Sequence, residues 1–177
     1  MKKELFIHFA FCISLVVFST LVNGWFSLIY WPFWAGAFLG TILPDIDHLL
    51  YVFFLKPQEL TSQRVGHMLG KRDIVGSLNL LAETRGERTK LVFHSATFQL
   101  IFWVLTFFVI TSSGSLLGRG LVLAFTLHLL VDQLVDLSDT GSLENWFKNF
   151  PLEMDPRKQK LYLWANLILL LIFSFFL

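Results

Sequence analysis

His128 and Asp132 stand four residues apart, the helical spacing at which two side chains on one face bind the same ion. Further ligand-type residues, His8, Asp45, Asp47, His48 and His94, lie inside or at the ends of apolar segments, where charge is expensive. An ionisable group at membrane depth costs about 3 kcal/mol or more, so such groups by default face one another, water or a metal. Satisfying His8, His94, His128 and Asp132 separately would need several independent partners at similar depth, and their apolar neighbours offer few. Together they read as a site for a divalent cation. Imidazole and carboxylate donors suit Zn²⁺ best, with Mn²⁺ or Fe²⁺ as alternatives. Thiolate ligation is excluded, because Cys12 is the only cysteine and lies in an apolar run.

The run Pro44-Asp45-Ile46-Asp47-His48 adds to this set, with a geometry that depends on the backbone after Pro44. A helix restarting there puts Asp45 and His48 on one face; an extended backbone pairs Asp45 with Asp47. Either way Asp45 points with a second ligand, and Asp45 or Asp47 is expected to serve as bridging ligand or general base. The plain alternatives are a helix cap for either aspartate and a hydrogen-bonded core role for any single histidine. His67, near Gly66 and Gly70, is a solvated histidine or a ligand folded over the site; Asp136 is a ligand or a helix-end carboxylate. Ser95, Thr97 and Gln99 read as helix-packing residues or as hydrogen bonders behind the ligands.

The elements that must carry these residues are apolar helices. Of 177 residues, 55% are hydrophobic and only 15% charged, and the mean hydropathy of +0.63 is too high for a soluble domain of this size. The expected fold is therefore all-α, a polytopic membrane bundle forming a single domain over 1–177. A span needs about 20 apolar residues. That predicts five, at roughly 5–23, 25–43, 91–112, 116–137 and 160–177, with a short interfacial segment at 49–55 after a break at Pro44. Cleavage of the first segment as a signal peptide is not expected, since no small-x-small site stands out. A net charge of +1 points to no nucleic-acid partner.

Basic residues set the orientation. Lys2 and Lys3 precede the first span; Lys56, Arg64, Lys71, Arg72, Arg85, Arg88 and Lys90 fill the loop 56–90, and Lys148, Arg157, Lys158 and Lys160 precede the last span. The opposite face has only Arg119. The N-terminus is thus expected inside an inner membrane and the C-terminus outside, with short surface helices in the cytoplasmic loop 56–90. On this topology four spans bring ligand-type side chains to one leaflet, His8 and His94 each about 5 Å deep at 1.5 Å per residue.

The order of these residues resembles a known family. A histidine in the first helix, then Leu43-Pro44-Asp45-Ile46-Asp47-His48, His94-Ser95 and His128-x-x-x-Asp132, is similar to the membrane-bound metal-dependent hydrolases known as LexA-regulated inner-membrane hydrolases. The likeness spans residues 8 to about 136. Members often carry His-Arg-Gly-x-Thr-His-Ser before the third span; here Thr89-Lys90-Leu91-Val92-Phe93-His94-Ser95 lacks the upstream His and Arg, so a full ligand set needs His67 or another group as substitute. A fainter likeness, in residue order and the His128-x-x-x-Asp132 spacing, extends to the zinc-dependent phospholipase C and P1 nuclease group, which cleaves phosphate esters.

The expected function is hydrolysis of a lipid-linked phosphoester at the cytoplasmic leaflet by metal-activated water. Membrane lipid is substrate or solvent, and Lys56, Arg88 or Lys90 neutralises the phosphate. The rival expectation is a non-catalytic membrane protein whose buried cluster holds a structural metal or handles ions or protons. Polar groups are almost absent from the outer half, which disfavours a transport path.

Overall fold

The computed structural model describes residues 2–88 and 90–177, with backbone only at positions 2 and 3. The Lys2 and Lys3 side chains, used above for orientation, and Thr89, part of the compared motif, lie outside the described residues. Among the described residues the chain is all-helical, with no strand.

Helix α1 runs Lys2–Asn23, and α2 (Trp31–Ile42) follows a single 3-10 turn, Leu28–Tyr30. The expected break at Pro44 does not occur. Proline has no N–H to donate, and here the ladder only tightens, into a 3-10 turn at Leu43–Asp45 where the Ile46 N–H reaches Leu43 O. The chain then continues as α3 (Ile46–Leu50) and a π-turn, Tyr51–Leu55, closed by Lys56 N–H on Tyr51 O at 2.8 Å. Residues 49–55 therefore belong to one 28-residue helical run, Leu28–Leu55. The two irregular turns bracket Asp45, Asp47 and His48, and local departures from α geometry of this kind concentrate at functional sites.

In the loop 56–90 the chain forms α4 (Leu60–Gly70) and α5 (Ile74–Glu83), which share a small core of Val52, Val65 and Leu81. A 3-10 turn, Arg85–Glu87, returns the chain to the bundle. Then come α6 (Ala96–Ser112), α7 (Leu116–Thr140), the single turn α8 (Glu144–Phe147) and α9 (Pro156–Phe175).

Three helices, Glu4–Asn23, Leu28–Leu55 and Leu116–Thr140, are long and apolar enough to cross a membrane. The difference from the expected five has a physical cause at each of the other two. Span 91–112 shortens to the 17 residues of α6 because 91–95 is held as loop, and Ser95 caps the helix by accepting from Phe98 N–H. The start of α9 carries Arg157, Lys158 and Lys160, which dilute its apolar stretch. Outward residues such as Phe6 on α1, Ile101 on α6 and Leu161 on α9 are more than 60% exposed, a surface that suits lipid rather than water.

Helix α7 is the axis of the bundle. Every residue from Val122 to Gln133 is buried, the polar Thr126, His128, Asp132 and Gln133 included. Its closest neighbour is α2. A Cβ at Gly36 would collide with the Leu117 carbonyl, one at Gly40 with that of Leu121, and one at Gly120 with that of Phe33. Backbone thus meets backbone without side chains between, the packing that small residues four apart permit inside membranes. Farther along, Gln133 donates to Gln99 Oε1 (2.7 Å), which also accepts from Tyr162 and Asn166 and so ties α6, α7 and α9 together.

Candidate metal centre

Side chains from four chain segments converge on one carboxylate, and a fifth segment reaches one of the histidines beside it. Asp132, 1% exposed, lies 3.1 Å (Oδ1) from His8 Nε2 of α1 and 3.2 Å (Oδ2) from His128 Nε2 one turn back on α7. His94 Nε2, from the loop before α6, is 2.8 Å from Oδ2. Arg85 Nη2, from the 3-10 turn, is 2.7 Å from Oδ1. The α2–α3 run contributes Asp45, whose Oδ1 is 3.7 Å from His128 Nε2. The His8 and His128 rings lie 4.1 Å apart, centroid to centroid.

Hydrogen-bond bookkeeping gives two of these histidines a chemical state. His8 Nδ1 meets the Glu4 carbonyl at 2.9 Å and His128 Nδ1 the Thr41 carbonyl at 2.6 Å. A carbonyl only accepts, so each Nδ1 carries the proton and each Nε2 presents a lone pair when the ring is neutral. Both lone pairs aim at the Asp132 carboxylate, itself an acceptor. His8 Nε2 and His128 Nε2 are buried without a hydrogen-bond partner, and the one cationic group on Asp132 Oδ1 is Arg85 Nη2. Acceptors facing one another in a dry interior call for a cation among them, which Arg85 supplies at Oδ1 alone, or for extra protons on the rings. One atom from each of His8, His128 and Asp132 lies within 4.8 Å of the others, so this buried group could hold a metal ion. The Nδ1–H contacts to carbonyls are the outer partners that ligating histidines require.

The close approach of α2 to α7 supplies one of those carbonyls, that of Thr41, next in sequence to Gly40. Asp47 does a related job for His94. Its fully buried carboxylate accepts from the backbone N–H of Val92 (3.0 Å), Phe93 (2.6 Å) and His94 (3.2 Å) and meets His94 Nδ1 at 3.1 Å. Asp47→Asn halves this acceptor capacity and turns a donor toward backbone donors. We expect a loss of about 2 kcal/mol in stability, read as a lower Tm in detergent; an unchanged Tm would show that Asp47 does not hold the 91–95 loop.

The other expected site residues are spread around this centre. Asp45, half-exposed, faces His128, whereas His48 accepts from Arg88 Nε–H at 3.1 Å through Nδ1, so the two helical neighbours do not converge on one ion. The His48 ring instead stacks on His94, with centroids 5.2 Å apart. Asp136 accepts from Trp146 Nε1–H at 2.7 Å and lies 3.5 Å from Arg85. His67 is exposed on α4 and belongs to no ion group among the described residues. Of the basic residues, Lys56 pairs with Glu59 at 3.9 Å and Lys90 is exposed. Arg88 is buried and donates to the Leu81 carbonyl and to Thr84 Oγ1.

Arg85 is the site residue that sequence reasoning missed. It entered only as one basic loop residue among several, and nothing in its neighbours marks it for the core. Burial alone would disfavour its charge, but Asp132 and Asp136 outweigh that and raise its pKa above the ordinary arginine value. Its Nη2 lies 2.7 Å from Asp132 Oδ1, the distance of a close charge-assisted pair. Beside the cluster opens a cavity of about 310 Å³ lined by Glu4, Arg85, Arg88, His94, Asp136 and Trp146, among others. Comparison with family models, with curated proteins and with solved structures finds no match for the chain.

Proposed function

We propose that the chain is a membrane-embedded metal-dependent hydrolase acting on a lipid-linked phosphoester at the cytoplasmic leaflet. One observation carries this reading: two buried imidazole nitrogens without a hydrogen-bond partner converge on a buried carboxylate, next to an open cavity. In the proposal His8, His128 and Asp132 hold a divalent ion, Zn²⁺ by donor type, with Mn²⁺ or Fe²⁺ as alternatives. When bound, such an ion supplies Lewis acidity that lowers the pKa of water to about 7. Asp45, half-exposed and 3.7 Å from His128, is the general base. Asp47 positions His94, and of Lys56, Arg88 and Lys90 only Arg88 lines the cavity that would receive a phosphate. The resemblance to the LexA-regulated membrane hydrolases is part of the proposal and points to the same chemistry.

The proposed topology adds α6 and α9 as spans to the three long helices. It keeps the N-terminus inside, because basic residues cluster in 56–90 and before α9. The cluster then lies at headgroup depth, and the tails of a lipid substrate stay in the bilayer. Labelling of single cysteines placed in the loop 56–90 from the periplasmic side would overturn that orientation.

A second reading has its own observation. Arg85 neutralises Asp132 without any ion, which suits a non-catalytic polar cluster that handles protons or fixes the bundle. Elemental mass spectrometry of the detergent-purified protein separates the two. The hydrolase reading expects one or more zinc or manganese ions per chain in wild type and their loss in His128→Ala. Protein that stays metal-free after incubation with excess ions supports the second reading. Metal-loaded protein is then assayed on phospholipid and prenyl-phosphate substrates in mixed micelles.

A further inference from the structure

Arg85 comes to the cluster from the 3-10 turn Arg85–Glu87, while the candidate ligands come from α1 and α7. Its Nη2 sits on Asp132 Oδ1, the oxygen that His8 Nε2 also faces. A metal taken by that oxygen at about 2.0–2.2 Å would bring a divalent charge against the guanidinium. Two cations do not share one carboxylate oxygen in a buried site without strong repulsion. One of them leaves.

We propose that Arg85 is the resident cation of the metal-free site and is exchanged for the divalent ion. The inference rests on the metal reading above. Two features make the exchange feasible. The side chain is 20% exposed and lines the cavity, so it has somewhere to go. Asp136, one helical turn on, is already 3.5 Å from Nη2 and receives the displaced charge. Glu4 and Asp139 line the same cavity and favour a cation arriving through it, while Arg88 opposes one.

This gives Arg85 two effects. It keeps Asp132 paired before loading, and it lowers the affinity for the metal, because each binding event must displace it. The test is the Kd for Zn²⁺ and Mn²⁺, by competition with a chromogenic chelator, on the detergent-solubilised full chain as wild type, Arg85→Gln, Arg85→Lys and His128→Ala. Arg85→Gln is expected to bind about tenfold more tightly than wild type, with Arg85→Lys between them. A second readout needs no variant at position 85: phenylglyoxal modification of Arg85, followed by peptide mass spectrometry, rises when metal is added to wild type and does not rise in His128→Ala. Equal or weaker binding by Arg85→Gln, or modification of Arg85 indifferent to metal, overturns the exchange while wild-type binding preserves the metal reading. If no form binds metal, both fall.

Discussion

Asp132→Ala is expected to abolish the proposed metal binding and to cost about 4 kcal/mol or more of stability, the largest single effect expected in this chain. Four groups depend on that carboxylate: His8, His94, His128 and Arg85 all lie within 3.2 Å of it. Removing it leaves the Arg85 charge facing three imidazoles with only Asp136, 3.5 Å away, to balance it, and breaking a buried pair by deleting one partner is far more costly than the pair was worth. Asp132→Asn separates the two roles. The amide keeps the volume and one oxygen but not the charge, so metal binding is still lost while part of the stability returns. Thermal unfolding in detergent and elemental analysis of the same preparations give both numbers. A stable, metal-loaded Asp132→Ala protein would remove Asp132 from the centre of the cluster.

Gly40→Leu is expected to prevent assembly of α2 on α7, with an effect of about 3 kcal/mol even for the smaller Gly40→Ala. At Gly40 a Cβ has nowhere to go: it meets the Leu121 backbone carbonyl, which cannot rotate away, and Ala124 Cβ at 3.1 Å. The helices must separate, and the Thr41 carbonyl then leaves His128 Nδ1, releasing the ring's tautomer and aim. Stability and metal affinity therefore fall together, although Gly40 offers no ligand. The control is Gly66→Ala on α4, where a Cβ has open space and alanine favours the helix. Equal Tm values for Gly40→Ala and Gly66→Ala would show that α2 and α7 do not pack through this glycine.

The histidines and Asp132 were legible because a polar residue in an apolar run is conspicuous, and α1 and α7 fall close to their expected bounds for the same reason. The glycine contact was equally open to reading, since Gly36-x-x-x-Gly40 is a small-residue spacing of known meaning, yet its partner Gly120 lies 80 residues away in the sequence. Arg85 could not be ranked among the loop's basic residues without knowing that α4 and α5 fold the chain back onto the bundle. The reading of Pro44 as a stop gave the local rule too much weight: a tightened turn absorbs the missing donor. Asp47 shows a different limit. Its partners are backbone N–H groups at 92–94, which no side-chain pattern reveals.

That aspartate also bears on the thickness of the lipid around the protein. With 91–95 drawn into loop, α6 is 17 residues long, about 26 Å at 1.5 Å per residue, against a hydrocarbon core of about 30 Å. A bilayer that surrounds α6 must thin by a few ångströms or cover the loop, and covering non-helical backbone is tolerable only where its donors are met from within. Asp47 meets three of them. On the proposed topology, in which α6 spans, the mismatch would be relieved on the side of the cluster, where a locally depressed leaflet would bring headgroups down to the cavity mouth and a thinner membrane would be the better host.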